Sequence, residues 1–256
     1  MNALLKVRGL GHRYGRRVGC EEVSFDLYPG ELLCIVGESG SGKSTLLNTL
    51  AAQLAPTAGS LRYRQRNDAW LDVGELNEAD RRRLAREEWG FVTQNPRDGL
   101  RLSVSAGANV AERLMARGER HYGRLRGIAC GWLERVEIDP ARVDDMPADF
   151  SGGMQQRLQI ARALVTHPRL VFMDEPTAGL DVSVQARILD LLRRLVHELD
   201  LAAVMVTHDL AVARLLAART MVMQGGRVVE TGLTDQILDD PQHPYTQLLV
   251  SSVLTT

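Results

Sequence analysis

Hydrophobic positions along the chain follow two patterns. Leu4 to Arg8 and Val23 to Leu27 alternate apolar with polar residues, the mark of half-buried strands, and the second stretch ends at the turn Tyr28-Pro29-Gly30. They predict an antiparallel sheet near the N-terminus, with Tyr14 in the turn between them. Continuous apolar runs, Leu32-Leu33-Cys34-Ile35-Val36, Trp89 to Thr93, Leu170-Val171-Phe172-Met173 and Ala202 to Thr207, read instead as strands buried on both faces. Helical spacing separates them. Thr45 to Leu50 opens a first helix, and Pro56-Thr57-Ala58-Gly59 turns the chain toward Ser60 to Tyr63, which returns to the antiparallel sheet. Asn77 is placed to cap a second helix. Val104 to Val136 is helical with a break from Gly118 to Gly123, Asp139 to Asp149 is a loop, and Met154, Leu158, Ala161 and Val165 mark another helix. Val184 to Leu199 presents Ile188, Leu191, Leu192, Leu195 and Leu199 on one side. Thr220 to Met223 and Arg227 to Glu230 flank Gln224-Gly225-Gly226 as a hairpin, and helices cover Thr234 to Asp239 and the chain from Pro244. Strands alternating with helices predict an α/β fold with a mostly parallel sheet.

Composition narrows the function. At 256 residues, 45% hydrophobic and 25% charged, the chain has the make-up of a globular protein, and a net charge of -1 gives no basic field for nucleic acid. Arg81, Arg82, Arg83 and Arg86 cluster, but Glu87 and Glu88 beside them make a solvated helix face the better reading. The three cysteines, Cys20, Cys34 and Cys130, are widely spaced and form no metal or redox pattern. The N-terminal residues from Met1 lack a signal-peptide core, and no run approaches ~18 apolar residues, so a cytoplasmic protein without direct membrane insertion is expected.

The chemistry centres on Gly37-Glu38-Ser39-Gly40-Ser41-Gly42-Lys43-Ser44, between the run ending at Val36 and the helix beginning with Thr45. A strand that ends in a glycine-rich turn and opens a helix aims backbone N–H groups and the positive end of the helix dipole at one point, where polyphosphate oxygens sit. The pattern assigns Lys43 to the β- and γ-phosphates of ATP and the Ser44 hydroxyl to Mg²⁺. Asp174, delivered by an apolar strand, then suits a role at Mg²⁺, and Glu175 beside it that of general base toward the attacking water.

Ser151-Gly152-Gly153-Met154-Gln155-Gln156-Arg157 resembles the signature of the ATP-binding cassette (ABC) ATPases, and nearly the whole chain falls into that family's order. The resemblance implies one ABC ATPase domain over residues 1–256. An antiparallel β subdomain would occupy about 1–30 and 59–72, the phosphate-loop core and C-terminal extension about 31–58, 73–96 and 166–256, and a helical subdomain about 97–165. Tyr14 looks like the aromatic that stacks on adenine, Gln94 like the glutamine at Mg²⁺ and the attacking water, His208 like the switch histidine, and Ala178-Gly179-Leu180-Asp181 like the D-loop. Glu175, His208 and Gln94 are then catalytic, and ATP is held by Tyr14 and the loop from Gly37 to Thr45. Ser44, Gln94 and Asp174 would serve Mg²⁺. Ser151, Gly152, Gly153, Met154, Gln155 and Asp181 would serve the ATP of a second cassette, in a homodimer or heterodimer. All motif residues are intact, which argues against a non-catalytic structural subunit.

Phe150 before the signature and the late His243-Pro244-Tyr245-Thr246 resemble the peptide and nickel importer branch. The Ser-Leu-Asn-Pro run usual there after the glutamine is absent, and so is a cysteine-bearing extension. The stretch Asn95 to Asn109 and the tail Asp239 to Leu254 look similar instead to the ATP-binding subunit of the bacterial carbon-phosphorus lyase system. That implies soluble lyase subunits as partners and ATP hydrolysis coupled to phosphonate breakdown. The alternative is the energising subunit of a peptide or nickel importer, with a membrane permease as partner. Carbon-phosphorus cleavage by this chain itself is not indicated, because the cysteine spacing offers no radical cofactor site.

Overall fold

The computed structural model describes residues 2–253; Met1 and, in the tail compared above, Leu254 lie outside them. In chain order the elements are β1 (Leu5–Tyr14), β2 (Arg17–Leu27), β3 (Leu32–Val36), α1 (Lys43–Leu50), β4 (Ala58–Arg64), β5 (Trp70–Asp72), α2 (Glu78–Glu87), β6 (Trp89–Val92), α3 (Pro96–Gly99), α4 (Ala106–Ala116) and α5 (Tyr122–Arg135). Two 3₁₀ turns, Pro140–Asp144 and Pro147–Asp149, lead to α6 (Gly152–Leu164), β7 (Leu170–Asp174), α7 (Val182–Glu198) and β8 (Ala202–Val206). The chain closes with α8 (Leu210–Leu216), β9 (Arg219–Gln224), β10 (Arg227–Leu233), α9 (Thr234–Asp239) and α10 (Pro244–Val253). It gathers into two compact units, one formed by the residues up to Arg81 together with those from Val196, the other by Arg82–Leu195.

In the first unit, β1 pairs antiparallel with both β2 and β4, setting Leu5 opposite Leu27 and Tyr63, and Val7 opposite Phe25 and Leu61. The alternation read from the sequence puts Leu5, Val7, Leu61 and Tyr63 on the buried face, each at most 1% exposed. In the parallel sheet, β3 lies between β8 and β9, with Leu33 beside Val204 and Cys34 beside Thr220. All five residues of β3 are buried, which explains why its run shows no alternation. Burial of a Leu or Ile side chain is worth about 1.5–3 kcal/mol, so this strand and Leu46, Leu47 and Leu50 of α1 anchor the loop between them from both sides. Burial also pushes the Cys34 thiol above its ordinary range, the state of an inert packing residue.

In the second unit, β6 and β7 run parallel with Gly90 beside Val171, and α4 and α5 pack on each other and on α6, with Val110, Leu125, Leu133 and Leu158 of these helices buried. Arg113 on α4 donates to the carbonyls of Ala85, Arg86 and Trp89, gathering carbonyls from the last turn of α2 and the first residue of β6. Burial, with Arg162 and Arg117 nearby, pushes its guanidinium down to about 10.

Three expectations change in detail. Tyr14 is the last residue of β1, paired with Arg17, rather than part of the turn. The loop from Asp139 contains two 3₁₀ turns, the first capped by the Asp139 carboxylate on the Ala141 N–H at 2.9 Å. Helix α8 was not anticipated, although Asp209 caps it by accepting from Ala211 and Val212 at 2.8 and 3.3 Å. Among the described residues no helix is long and apolar enough to cross a membrane.

Candidate functional site

The first unit holds the phosphate loop between β3 and α1. Gly42 has φ +103°, and a Cβ there would stand 2.3 Å from the Gly19 carbonyl oxygen, so the backbone that lays the loop across β2 requires glycine. Lys43 is buried, and its Nζ donates to the carbonyls of Gly37 at 2.7 Å and Glu38 at 2.8 Å. Ser41 is also buried, whereas Glu38, Ser39, Gly40 and Ser44 are exposed. Helix α1 carries no acidic residue in its first turn and no side-chain cap, so its positive end is not neutralised from within. A buried ammonium beside an uncapped helix start favours a polyanion.

Tyr14 is 51% exposed and meets His12 edge to face at 4.5 Å. Gly19 lies beside it: a Cβ there would be 2.6 Å from the Thr45 methyl and 3.1 Å from the Tyr14 ring, so the ring stands against the helix that the loop opens. His208 is exposed after β8, directly before the capping Asp209. Sequence reasoning missed one contact of the loop. The Glu38 N–H donates to the Tyr245 hydroxyl at 3.1 Å, across 207 residues for which no local pattern exists.

The second unit holds the remaining residues. Asp174 ends β7, and Glu175 follows with φ +41°, a left-handed conformation that is uncommon outside glycine and concentrates at functional sites. Gln94 Nε2 donates to Glu175 Oε2 at 3.3 Å, so two predicted catalytic residues, 81 positions apart, meet. A cleft of about 420 Å³ is lined by Gln94, Pro96, Phe150, Gly152, Gln155 and Gly179 among others, bringing glutamine loop, signature and D-loop around one space. Ser151 is exposed and caps α6, accepting from the Met154 N–H at 3.3 Å, with Gly152 exposed and Gly153 buried. Gln155 is turned inward: it is 3% exposed and donates to the carbonyls of Pro147 at 2.7 Å and Phe150 at 3.3 Å, bracing the approach to the signature.

Asp181 caps α7, accepting from the Val184 N–H at 3.1 Å and the Ser183 hydroxyl at 2.9 Å. Those bonds, the Val184 N–H foremost, hold its carboxyl below the usual range. Asn109, which ends the stretch likened to the lyase-system subunit, is buried; its amide exchanges hydrogen bonds with Arg101 N–H and carbonyl at 2.8 and 3.0 Å and donates to Val104 at 2.8 Å. It shapes the stretch from within.

A family model described as ABC transporter matches residues 20–178, and one described as the C-terminal region of oligopeptide/dipeptide transporters matches residues 229–256. The chain is 65% identical over 251 residues to PhnK of Escherichia coli (strain K12), by name a phosphonates utilization ATP-binding protein, covering 98% of each. It is 36% identical to the oligopeptide transport ATP-binding protein OppD of Bacillus subtilis (strain 168), covering 98% of this chain and 72% of the relative. Among solved structures, the dimeric post-hydrolysis state of the ATP-binding cassette MJ0796 bound to ADP and Pi superposes with a TM-score of 0.79 at 30% identity, covering 90% of this chain and 98% of that one. The cbiO1 protein of Clostridium perfringens, part of the ABC transporter complex cbiONQ, gives 0.81 at 26% identity over 94% and 92%.

Proposed function

The chain belongs to the ABC transporter ATPase family, and from that premise we propose that it is the ATP-hydrolysing subunit of a phosphonate-degrading carbon-phosphorus lyase system. One observation carries the choice of system: 65% identity along 98% of both chains to the phosphonates utilization protein, against 36% to the oligopeptide transport protein. Its partners are a second cassette, a copy or a relative, and soluble lyase subunits.

ATP binds through Lys43, the N–H groups opening α1, and the Tyr14 face on adenine. Ser44 supplies a hydroxyl, Gln94 an amide oxygen and Asp174 a carboxylate, the oxygen donors that suit Mg²⁺. Among the described residues no cluster of three or more His, Cys, Asp or Glu could hold a metal. Bound Mg²⁺ would neutralise charge on the β- and γ-phosphates. The water oxygen attacks the γ-phosphorus, the bond to the bridging β,γ oxygen breaks, and the water's proton passes to the Glu175 carboxylate, which the Gln94 amide orients. His208 senses the γ-phosphate. Ser151, Gly152, Gly153 and Met154, with Asp181 and the Gln155 that braces them, serve the partner's nucleotide, because the exposed capped start of α6 is a second anion site.

A second reading, the energising subunit of a peptide-type importer, is favoured by the match of residues 229–256 to the oligopeptide/dipeptide transporter C-terminal model. Isolation of a tagged Glu175→Gln variant with ATP from native cells grown on a phosphonate tests both. Soluble lyase subunits in the isolate uphold the proposal, and membrane permease subunits replace it with the importer.

A further inference from the structure

Helix α10 begins at Pro244, and the next residue, Tyr245, is buried with its hydroxyl oxygen accepting the Glu38 N–H at 3.1 Å. That N–H and the Gly37 carbonyl belong to one peptide group, which is planar and rigid. The carbonyl end of the same plane accepts Lys43 Nζ at 2.7 Å. The next carbonyl, of Glu38, accepts Lys43 Nζ at 2.8 Å and the Ser41 N–H at 3.1 Å. Tyrosine and lysine thus hold opposite ends of one lever.

The tyrosine is itself held. Glu230 on β10 accepts the N–H groups of Gln242 at 2.8 Å and His243 at 3.0 Å, and His243 Nδ1 accepts the Tyr245 N–H at 3.2 Å. The hairpin that carries Glu230 touches the loop a second time, where the Gly226 N–H donates to the Ser41 carbonyl at 2.9 Å. A buried hydroxyl needs a hydrogen-bond partner, and the partner this one takes is the N–H of a peptide whose carbonyl carries the lysine.

We propose that Tyr245 is a positioning residue for ATP binding: through the Glu38 N–H it fixes the Gly37–Glu38 peptide plane, and through that plane the Lys43 ammonium. The inference rests on the ATPase reading and adds to it a C-terminal residue that acts through the loop. Because the lever is needed equally in the bound substrate and in the transition state, its loss raises KM and leaves kcat in place.

The test is Tyr245→Phe in the full chain, which keeps the ring and removes one oxygen. Two readouts are taken: hydrogen exchange at the Glu38 amide without nucleotide, and KM and kcat with MgATP. Loss of one hydrogen bond of ordinary strength predicts exchange at Glu38 and KM each higher by about fivefold, with kcat within about twofold of the parent. Parent-like exchange and KM would overturn the proposal, as would a fall in kcat at constant KM. If the parent chain neither binds nor hydrolyses ATP, the ATPase reading fails, and the exchange rate at Glu38 still decides whether the hydroxyl holds the plane.

Discussion

Glu175→Gln keeps the side chain's length and an oxygen to accept from Gln94, whose Nε2 lies 3.3 Å from Glu175 Oε2, and removes the negative charge and the basicity. Exchanging a charged acceptor for a neutral one weakens a hydrogen bond by about 1 kcal/mol, a shift of roughly 2–4 °C in melting temperature for a chain of this size. The effect on chemistry is larger. A positioned general base is worth about 10²–10⁴ in rate, roughly 2.7–5.4 kcal/mol of barrier. ATP affinity should hold, because Lys43 and the N–H groups of α1 are untouched. The assay pairs equilibrium nucleotide titration with phosphate release over a single turnover. Parent-like affinity with release slowed at least about a hundredfold is the expected result. Release within threefold of the parent would remove Glu175 from the role of base, and a large loss of affinity would show that the substitution damages binding rather than proton transfer.

Four further outcomes are expected. Ser151→Arg abolishes hydrolysis by the cassette pair while the isolated chain still binds ATP, measured by titration below the dimerisation concentration, if the exposed Ser151 serves the partner as proposed. Gly42→Ala forces a side chain into a φ of +103° and against the Gly19 carbonyl, so ATP affinity falls by about two orders of magnitude or more in the same titration. Arg113→Met strips the donor from the carbonyls of Ala85, Arg86 and Trp89 and lowers unfolding free energy by about 1–3 kcal/mol in urea. For Glu230, burial pushes the carboxyl up, but hydrogen bonds including those from the Gln242 and His243 N–H groups outweigh it, leaving it below the ordinary 4.5. Its stabilisation is therefore complete above that ordinary value and lost as pH falls through the lowered one; hydrogen-exchange protection of residues 240–253, relative to the intrinsic rate at each pH, should fall on acidification, and Glu230→Gln should flatten the dependence.

The sequence was most readable where structure is local. Strand β3, its loop and α1 follow from an apolar run, glycines and helical spacing, and α9 spans the same residues, Thr234 to Asp239, that its pattern predicts. Helix α8 escaped because Leu-Ala-Val-Ala-Arg-Leu-Leu is too short for periodicity to separate helix from strand; Asp209 as a cap was the available signal. Strand β5, of three residues, and α3, of four, fall below any periodic signal. Among site residues, type and order carried the reading, but direction did not. That Gln155 faces inward, and that Asp181 is engaged as a helix cap, depends on packing that no spacing encodes. The Gln94–Glu175 contact and the Tyr245–Glu38 bond join distant positions, and such pairs are written only in the fold.

The tie between Glu38 and Tyr245 also has a consequence in time. The loop sequence emerges early in synthesis, but its bracing strand β9, its hairpin and its tyrosine follow after a gap of up to 207 residues. At ~5–20 residues per second, that gap lasts roughly 10–40 s, and for most of it β3 has neither of its parallel neighbours beside it. Long-range parallel pairing is slow to form even once the chain is available. A nascent chain stalled before β9 therefore carries every residue of the phosphate loop without the scaffold that shapes it, and nucleotide binding can serve as a clock for the last step of folding.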